Sequence, residues 1–170
     1  RRDGQATGYI EGQPVALTLA TVDGRAVEVR TAEAFAVMRA TASKDNVSLV
    51  VTSGFRTMEE QQRLYECYLT GGCNSGNYAE RPGFSQHQSG RALDLNTKLP
   101  GVLAWLTARA GDFGFLLDRE IALVEGEGDG RFEPFPRKRV GLVFGQDAAL
   151  HQQVLGGARV TPQAASAHER

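Results

Sequence analysis

Several features that would assign this sequence to a particular class of protein are absent. No apolar run approaches the roughly 20 residues that a membrane-spanning helix needs, and no signal peptide is evident. The 19 basic and 20 acidic residues leave a formal net charge of −1. We therefore expect no transmembrane segment, and we expect neither nucleic acid nor an anionic membrane to be the main partner.

Cysteine is scarce, and its two positions are informative. Cys67 and Cys73 both lie in the segment ECYLTGGC, in which Thr-Gly-Gly could turn the chain back. We predict a disulfide across this short loop, which would imply an oxidising compartment. Two unpaired thiols remain the alternative, because the sequence does not give the Cα separation that a disulfide requires.

What is present is typical of one globular domain. The chain has 170 residues, of which 41% are hydrophobic, and this is enough for a sizeable core. We predict a flexible lead-in over residues 1–8, a single domain over residues 9–157 and a disordered tail over residues 158–170. Strands and helices occur without regular βαβ alternation, which predicts an α+β domain with a small antiparallel or mixed sheet flanked by helices.

The first half of the domain carries turn and capping signals. The dipeptide Asp23-Gly24 predicts a hairpin, and Thr31 is the predicted N-cap of a helix. Thr57 and Glu60 form a capping box that predicts a second helix, ending at Gly71. The spacing of apolar residues predicts the buried face of the first helix, namely Phe35, Met38 and Ala42.

The second half begins with a long polar loop over residues 71–90, and long irregular segments in compact domains are often functional. A helix over residues 100–113 should place Trp105 and Leu106 in the core. We also predict strands over residues 47–55, 91–96, 113–117 and 138–145, and a helix that Asp147 would cap.

The segment GFSQHQSGRALDL, residues 83–95, contains a candidate metal-ligand pair. His87 lies in the polar loop, Asp94 lies in the strand that follows, and a turn at Gly90 could bring the two together. Imidazole and carboxylate are both good zinc ligands, and a catalytic zinc site usually takes three protein ligands. The spacing alone is a weak signal, because an isolated pair of this kind usually belongs to an ordinary polar loop.

The neighbouring residues make the signal specific. The pattern SxHxxGxAxD occurs as SQHQSGRALD over residues 85–94, and SGFRT precedes it at residues 53–57. Together these motifs closely resemble the D-alanyl-D-alanine carboxypeptidase family of zinc peptidases, the VanY-like group, which trims D-alanine from cell-wall peptides. The resemblance runs from residues 31–38 to residues 112–115 and implies that family's fold, which the signalling domain of Hedgehog proteins resembles.

The resemblance implies a role for each matching residue. His87 and Asp94 match the first two zinc ligands of the family. Arg56 matches the arginine that stabilises the oxyanion of the tetrahedral intermediate, while Ser85 matches a residue that holds the substrate. Gln61 would line the cleft. Apart from the resemblance, a surface salt bridge would explain Arg56 and a turn hydroxyl would explain Ser85.

The pattern departs from the family further along the chain. The family completes its site with an EPWH-type strand that supplies a general base and a third zinc ligand, and the counterpart here is EPFPRKRVG. Glu133 matches the base, but Pro136 stands at the third ligand, and proline cannot coordinate a metal. His151 is the candidate substitute, while His168 falls in the predicted tail. Weaker candidates are Asp118, Glu120 and the carboxylates of residues 125–130.

Three functions follow from these observations. The first is a zinc carboxypeptidase that hydrolyses peptidoglycan stem peptides containing D-Ala-D-Ala, in an extracytoplasmic compartment. The second is an inactive pseudo-peptidase that binds cell-wall peptides or a protein. The third is an enzyme with a different metal or substrate. The change at Pro136 favours the second function, and the set of His87, Asp94 and Arg56 favours the first.

Overall fold

The computed structural model describes residues 2–73, 77–118 and 141–145. Over these residues the chain forms two antiparallel sheets and three α-helices, which confirms the α+β class. The elements in chain order are β1 (Arg2–Ile10), β2 (Gln13–Val22), β3 (Arg25–Glu28), α1 (Val29–Lys44), β4 (Val51–Ser53), α2 (Met58–Thr70), β5 (Ala92–Leu95), α3 (Val102–Arg109), a 3₁₀ helix (Ala110–Phe113), β6 (Phe115–Asp118) and β7 (Gly141–Phe144).

Strand β1 covers Arg2–Ile10, so the prediction of a flexible lead-in over residues 1–8 was wrong for the described residues 2–8. β1 pairs with β2 as far as Ile10 and Gln13, and Glu11 and Gly12 join the two strands with φ angles of 51° and 80°. Positive φ at both central residues is characteristic of a type I′ hairpin turn. This hairpin was not predicted from the sequence, because Glu-Gly is a weaker turn signal than Asn-Gly or Asp-Gly.

Helix α1 begins earlier than predicted, because Glu28 rather than Thr31 is its N-cap. Glu28 has extended backbone angles, and its carboxylate accepts a hydrogen bond from the backbone N–H of Thr31 at 3.0 Å. Thr31 instead lies in the first turn, where its hydroxyl donates to the carbonyl of Gly90 at 3.0 Å. The prediction was wrong because glutamate is not among the preferred N-cap residues, whereas threonine is.

The hydrophobic core involves the second sheet, whose strand order is β4-β5-β7-β6. Leu93 of β5 and Leu142 of β7 are paired neighbours, and both are almost completely buried. The indole N–H of Trp105 donates to Asp45 at 2.7 Å, so this buried side chain has its polar atom satisfied. The structure confirms the predicted core positions Phe35, Met38, Ala42, Trp105 and Leu106.

Helix α2 has the predicted capping box. The Thr57 hydroxyl accepts a hydrogen bond from the backbone N–H of Glu60 at 3.2 Å. The Glu60 carboxylate accepts one from the backbone N–H of Thr57 at 2.9 Å. The helix ends at Gly71, whose φ of 63° is left-handed. Cys67 and Cys73 form the predicted disulfide, with a Cα–Cα distance of 4.8 Å. The disulfide fastens the end of α2 to the start of the following loop.

Some predictions concern residues that the structure does not describe. The helix after Asp147, the domain boundary at residue 157 and the tail over residues 158–170 all lie outside the described residues. Of the strand predicted over residues 138–145, Gly141–Phe144 is confirmed as β7. No described helix is both long and apolar enough to cross a membrane.

Candidate active site

The residues of the SxHxxGxAxD pattern lie in a loop that two other parts of the fold hold in place. We call residues 83–91 the motif loop. The backbone N–H of Tyr9 in β1 donates to the carbonyl of Gln88 at 3.0 Å, which ties the loop to the first sheet. Gly90 has a φ of 75°, and a Cβ there would lie 2.7 Å from the Cβ of Glu28. Only glycine therefore fits this position, and the loop packs directly against the start of α1.

The imidazole of His87 is held in one orientation. Its Nδ1 lies 2.7 Å from the carbonyl oxygen of Gly54. Because a carbonyl can only accept a hydrogen bond, Nδ1 carries a proton, and a neutral ring then has its lone pair on Nε2. Nε2 lies 3.7 Å from Oδ1 of Asp94, and the two side chains are 15% and 13% exposed. Nε2 therefore faces a carboxylate oxygen in a largely enclosed space.

This arrangement fits a cation between the two side chains. A distance of 3.7 Å is longer than an N–H···O hydrogen bond, so one proton bridges the gap poorly. Two zinc ligands with bonds of ~2.0–2.1 Å lie about 3.3 Å apart in tetrahedral geometry. The hydrogen bond from His87 to the Gly54 carbonyl is also the kind of outer contact that orients metal-ligating histidines. The geometry of His87 and Asp94 thus suits two ligands of one metal.

The described part of the neighbouring strand, Gly141–Phe144, offers no third ligand. Asp94 of β5 pairs with Gly141 of β7, and a Cβ built at Gly141 would lie 3.5 Å from Asp94 Oδ1. Side chains at paired positions lie on the same face of a sheet, so position 141 faces the candidate metal site with no side chain. Within residues 2–73, 77–118 and 141–145, no group of three His, Cys, Asp or Glu side chains could hold a metal.

The remaining predicted site residues lie elsewhere. Glu133, Pro136 and His151 are outside the described residues. The predictions that Glu133 acts as general base and that His151 substitutes for the third ligand therefore stay predictions.

Arg56 lies beside the motif loop, and a buried glutamine orients its side chain. The backbone N–H of Arg56 donates to the carbonyl of His87 at 3.1 Å. Its Nη1 donates to Oε1 of Gln61 at 2.7 Å, and Nε2 of Gln61 donates to the carbonyl of Glu80 at 2.6 Å. Gln61 is completely buried. The side chain of Gln61 therefore positions Arg56, and its predicted place in the substrate cleft stays a prediction.

Ser85 is also buried, with 3% of its surface exposed. Its hydroxyl oxygen accepts from the backbone N–H of His87 at 3.4 Å, and its carbonyl accepts from the N–H of Gln88 at 2.9 Å. These bonds shape the turn that presents His87. Ser85 also lines a small cavity next to the loop, so its predicted contact with substrate stays a prediction.

Three further residues support the site and were not predicted from the sequence. The Gly54 carbonyl fixes His87. Gln88 is fully buried, and its side chain accepts from the backbone N–H of Gly83 at 2.7 Å. Glu28 packs against Gly90. Gly54 and Gln88 lie inside the two quoted motifs, so their presence there was the only available signal.

Comparison with known proteins identifies the family. The family described as VanY, D-alanyl-D-alanine carboxypeptidase, matches residues 24–120. This chain belongs to that family. An Enterococcus faecium protein named D-alanyl-D-alanine carboxypeptidase is 31% identical over 117 residues, which make up 65% of this chain and 36% of the relative. The chain therefore spans only about a third of that relative's length.

Two solved structures of vancomycin-resistance proteins are similar to this chain. One is the D,D-pentapeptidase VanY from a VanB-type cassette in complex with Zn(II), which is 27% identical with a TM-score of 0.51 and covers 64% of this chain and 70% of its own. The other is VanYB in complex with D-alanine-D-alanine, which is 25% identical with a TM-score of 0.51. The match covers 64% of this chain and 71% of the VanYB chain. The family match over residues 24–120 includes Arg56, His87 and Asp94, whereas Glu133 and β1 lie outside it.

Proposed function

We propose that this protein is a zinc-dependent carboxypeptidase that removes D-alanine from peptidoglycan stem peptides ending in D-Ala-D-Ala. The observation that carries the proposal is the geometry of His87 and Asp94. Nδ1 of His87 is hydrogen-bonded to Gly54, so Nε2 faces the Asp94 carboxylate at 3.7 Å. A cation between the two groups would be bound by both, and imidazole and carboxylate both suit zinc.

The proposed chemistry is metal-assisted hydrolysis of a peptide bond. His87 and Asp94 would hold the zinc, which supplies Lewis-acid stabilisation of developing negative charge. Arg56 would add a second positive charge at the same oxygen. Because Gln61 already orients its guanidinium, little reorganisation is needed when charge develops in the transition state. Glu133 is the proposed proton carrier.

The disulfide supports an extracytoplasmic location. Cys67 and Cys73 are bonded, and such bonds persist mainly in oxidising compartments. Peptidoglycan peptides are present there, so the proposed partner and location agree.

A second candidate function is a binding module for cell-wall peptides. The observation that favours it is Pro136, which stands where the sequence pattern calls for a third ligand. With two ligands, zinc would be held weakly, while Arg56 would still offer a positive charge to a bound peptide. His151 is the proposed source of a third ligand if the site is catalytic.

Two measurements on the purified protein separate these functions. The first is zinc content after dialysis against micromolar zinc, and the second is release of D-alanine from a pentapeptide ending in D-Ala-D-Ala. We expect one zinc per chain and steady release of D-alanine. Replacing the ligands in His87→Ala and Asp94→Asn should remove the zinc and the release together, while His168→Ala serves as the matched histidine control and should keep both.

Zinc-free protein that binds the pentapeptide without cleaving it would support the binding module. Zinc that persists in both ligand variants would contradict the proposed site, whatever the activity.

A further inference from the structure

A small cavity lies between the N-terminal hairpin and the motif loop. Its volume is about 130 Å³, and its lining includes Tyr9 and Glu11 from the hairpin and Ser85, Ser89 and Arg91 from the loop. Since a water molecule takes about 30 Å³ in the liquid, the cavity has room for a ligand of several heavy atoms. None of His87, Asp94 and Arg56 lines it.

The Arg91 side chain lines this cavity and has one unsatisfied nitrogen. Its Nε is buried and has no hydrogen-bond partner, and within the described part of the chain no ion pair involves Arg91. A buried donor without a partner costs free energy, and a bound ligand or water is one way to satisfy it. A carboxylate is the group that matches a guanidinium best, because it can accept two parallel hydrogen bonds.

Glu11 brings a negative charge to the same cavity at an energetic cost. It occupies the first central position of the hairpin turn with a φ of 51°, a position at which Asn, Asp and Gly are strongly preferred. The other hairpin turn of the first sheet has Asp23 at the equivalent position. Unfavourable backbone conformations tend to be retained where a side chain is needed for function. Among the described residues, no salt bridge joins Glu11 to Arg91 or to any other side chain.

We propose that this cavity binds a small free α-amino acid, with its carboxylate on Arg91 and its ammonium group on Glu11. The cavity is already formed, because the backbone N–H groups of Tyr9 and Gly12 donate to the motif loop at 3.0 and 2.9 Å. Two opposite charges that share a cavity without pairing are suited to a zwitterion. A larger depression of about 400 Å³ on β1 and β2 has no charged lining residue and offers no such recognition.

The proposed function supplies a ligand of this class. Each turnover would release free D-alanine next to the motif loop, so identifying D-alanine as the natural ligand rests on that function. The charge recognition does not rest on it, since the lining residues are separate from the proposed zinc ligands.

The test is a titration of the full-length chain with D-alanine, followed by ¹H–¹⁵N NMR. The Asp94→Asn variant is used, so that neither zinc nor turnover contributes to the signal. We expect saturable shifts at the backbone amides of Tyr9, Ser89 and Arg91. D-Alaninamide lacks the carboxylate and N-acetyl-D-alanine lacks the ammonium group, and each should bind at least tenfold more weakly.

Three variants of the same protein complete the test. Arg91→Gln should weaken D-alanine binding at least tenfold, and Arg63→Gln, on the exposed face of α2, is its matched control and should not. Glu11→Asn should weaken binding while raising the unfolding temperature, because asparagine tolerates positive φ.

No saturable shift with D-alanine, equal binding of D-alaninamide, or unchanged binding in Arg91→Gln would each overturn the proposal. Binding to the Asp94→Asn protein in the absence of any cleavage by the parent would instead leave this site standing and the proposed function refuted.

Discussion

The two strands that meet at the candidate active site contribute very differently to it. On one side, β5 and the motif loop present His87 and Asp94, and each is fixed by hydrogen bonds, packing or strand pairing. On the other side, β7 faces Asp94 with Gly141, which has no side chain to offer. Two candidate ligands are therefore held in place by the fold, while the described part of β7, Gly141–Phe144, offers no third one.

The strongest test of the residues that the fold already holds in place at the site is Arg56→Lys. Lysine keeps the positive charge but lacks the planar guanidinium that Gln61 orients. We expect kcat/KM for D-alanine release to fall by about 10²–10³, as for loss of an oxyanion donor, while zinc content stays unchanged. Arg63→Lys is the matched control. Parallel loss of zinc in Arg56→Lys would show that the substitution damages the whole site instead.

The packing of the motif loop against the start of α1 can be disrupted by a substitution at Gly90. Alanine there must adopt a φ of 75° and approach Glu28 too closely. We expect Gly90→Ala to lower the free energy of unfolding by about 2–4 kcal/mol, measured by urea denaturation, and to weaken zinc binding. Gly111→Ala is the control, since a Cβ at Gly111 meets no atom within 4 Å. Equal stability of the two variants would contradict the packing described.

The role of Gln61 is tested by Gln61→Met, which conserves volume but removes both hydrogen bonds. Arg56 loses an acceptor and the Glu80 carbonyl loses a donor. We expect a fall of about tenfold in kcat, equivalent to about 1.4 kcal/mol, with zinc content unchanged. Gln62→Met, on the exposed face of α2, should retain full activity. Full activity in Gln61→Met would show that catalysis does not depend on the positioning of Arg56 by Gln61.

The Gly141→His variant adds a potential metal ligand at the position of β7 that faces Asp94. A histidine at this position would start from a Cβ 3.5 Å from Asp94 Oδ1 and would lie on the same face of the sheet. We expect zinc affinity to rise about tenfold, or about 1.4 kcal/mol, measured by competition with a chromophoric chelator. Gly141→Asn is the control for added bulk and polarity. Unchanged or weaker affinity in the histidine variant would show that β7 does not face the metal.

Local signals in the sequence were sufficient where one residue type dominates a structural role. The capping box at Thr57, the Asp23-Gly24 turn and the buried face of α1 all rest on spacing and propensity, and all are confirmed. His87, Asp94 and Arg56 were identified through the resemblance to a family, and the structure places the first two side by side.

Other features depend on contacts between distant segments, which spacing does not encode. Glu28 caps α1 and packs against Gly90, a residue 62 positions further along the chain. Gln61 is polar and lies near Arg56 in sequence, and neither feature indicates that it is buried. Its burial results from the return of the chain to Glu80. β1 was missed because its partner strand, rather than its own composition, stabilises it.

The central claim is that His87 and Asp94 are two ligands of one zinc ion. A crystal structure of the zinc-treated protein, with anomalous data collected on both sides of the zinc edge, tests it most directly. We predict a single strong zinc peak at ~2.0–2.2 Å from Nε2 of His87 and from a carboxylate oxygen of Asp94. A map with no zinc between these two side chains, or with zinc bound only elsewhere, would contradict the account.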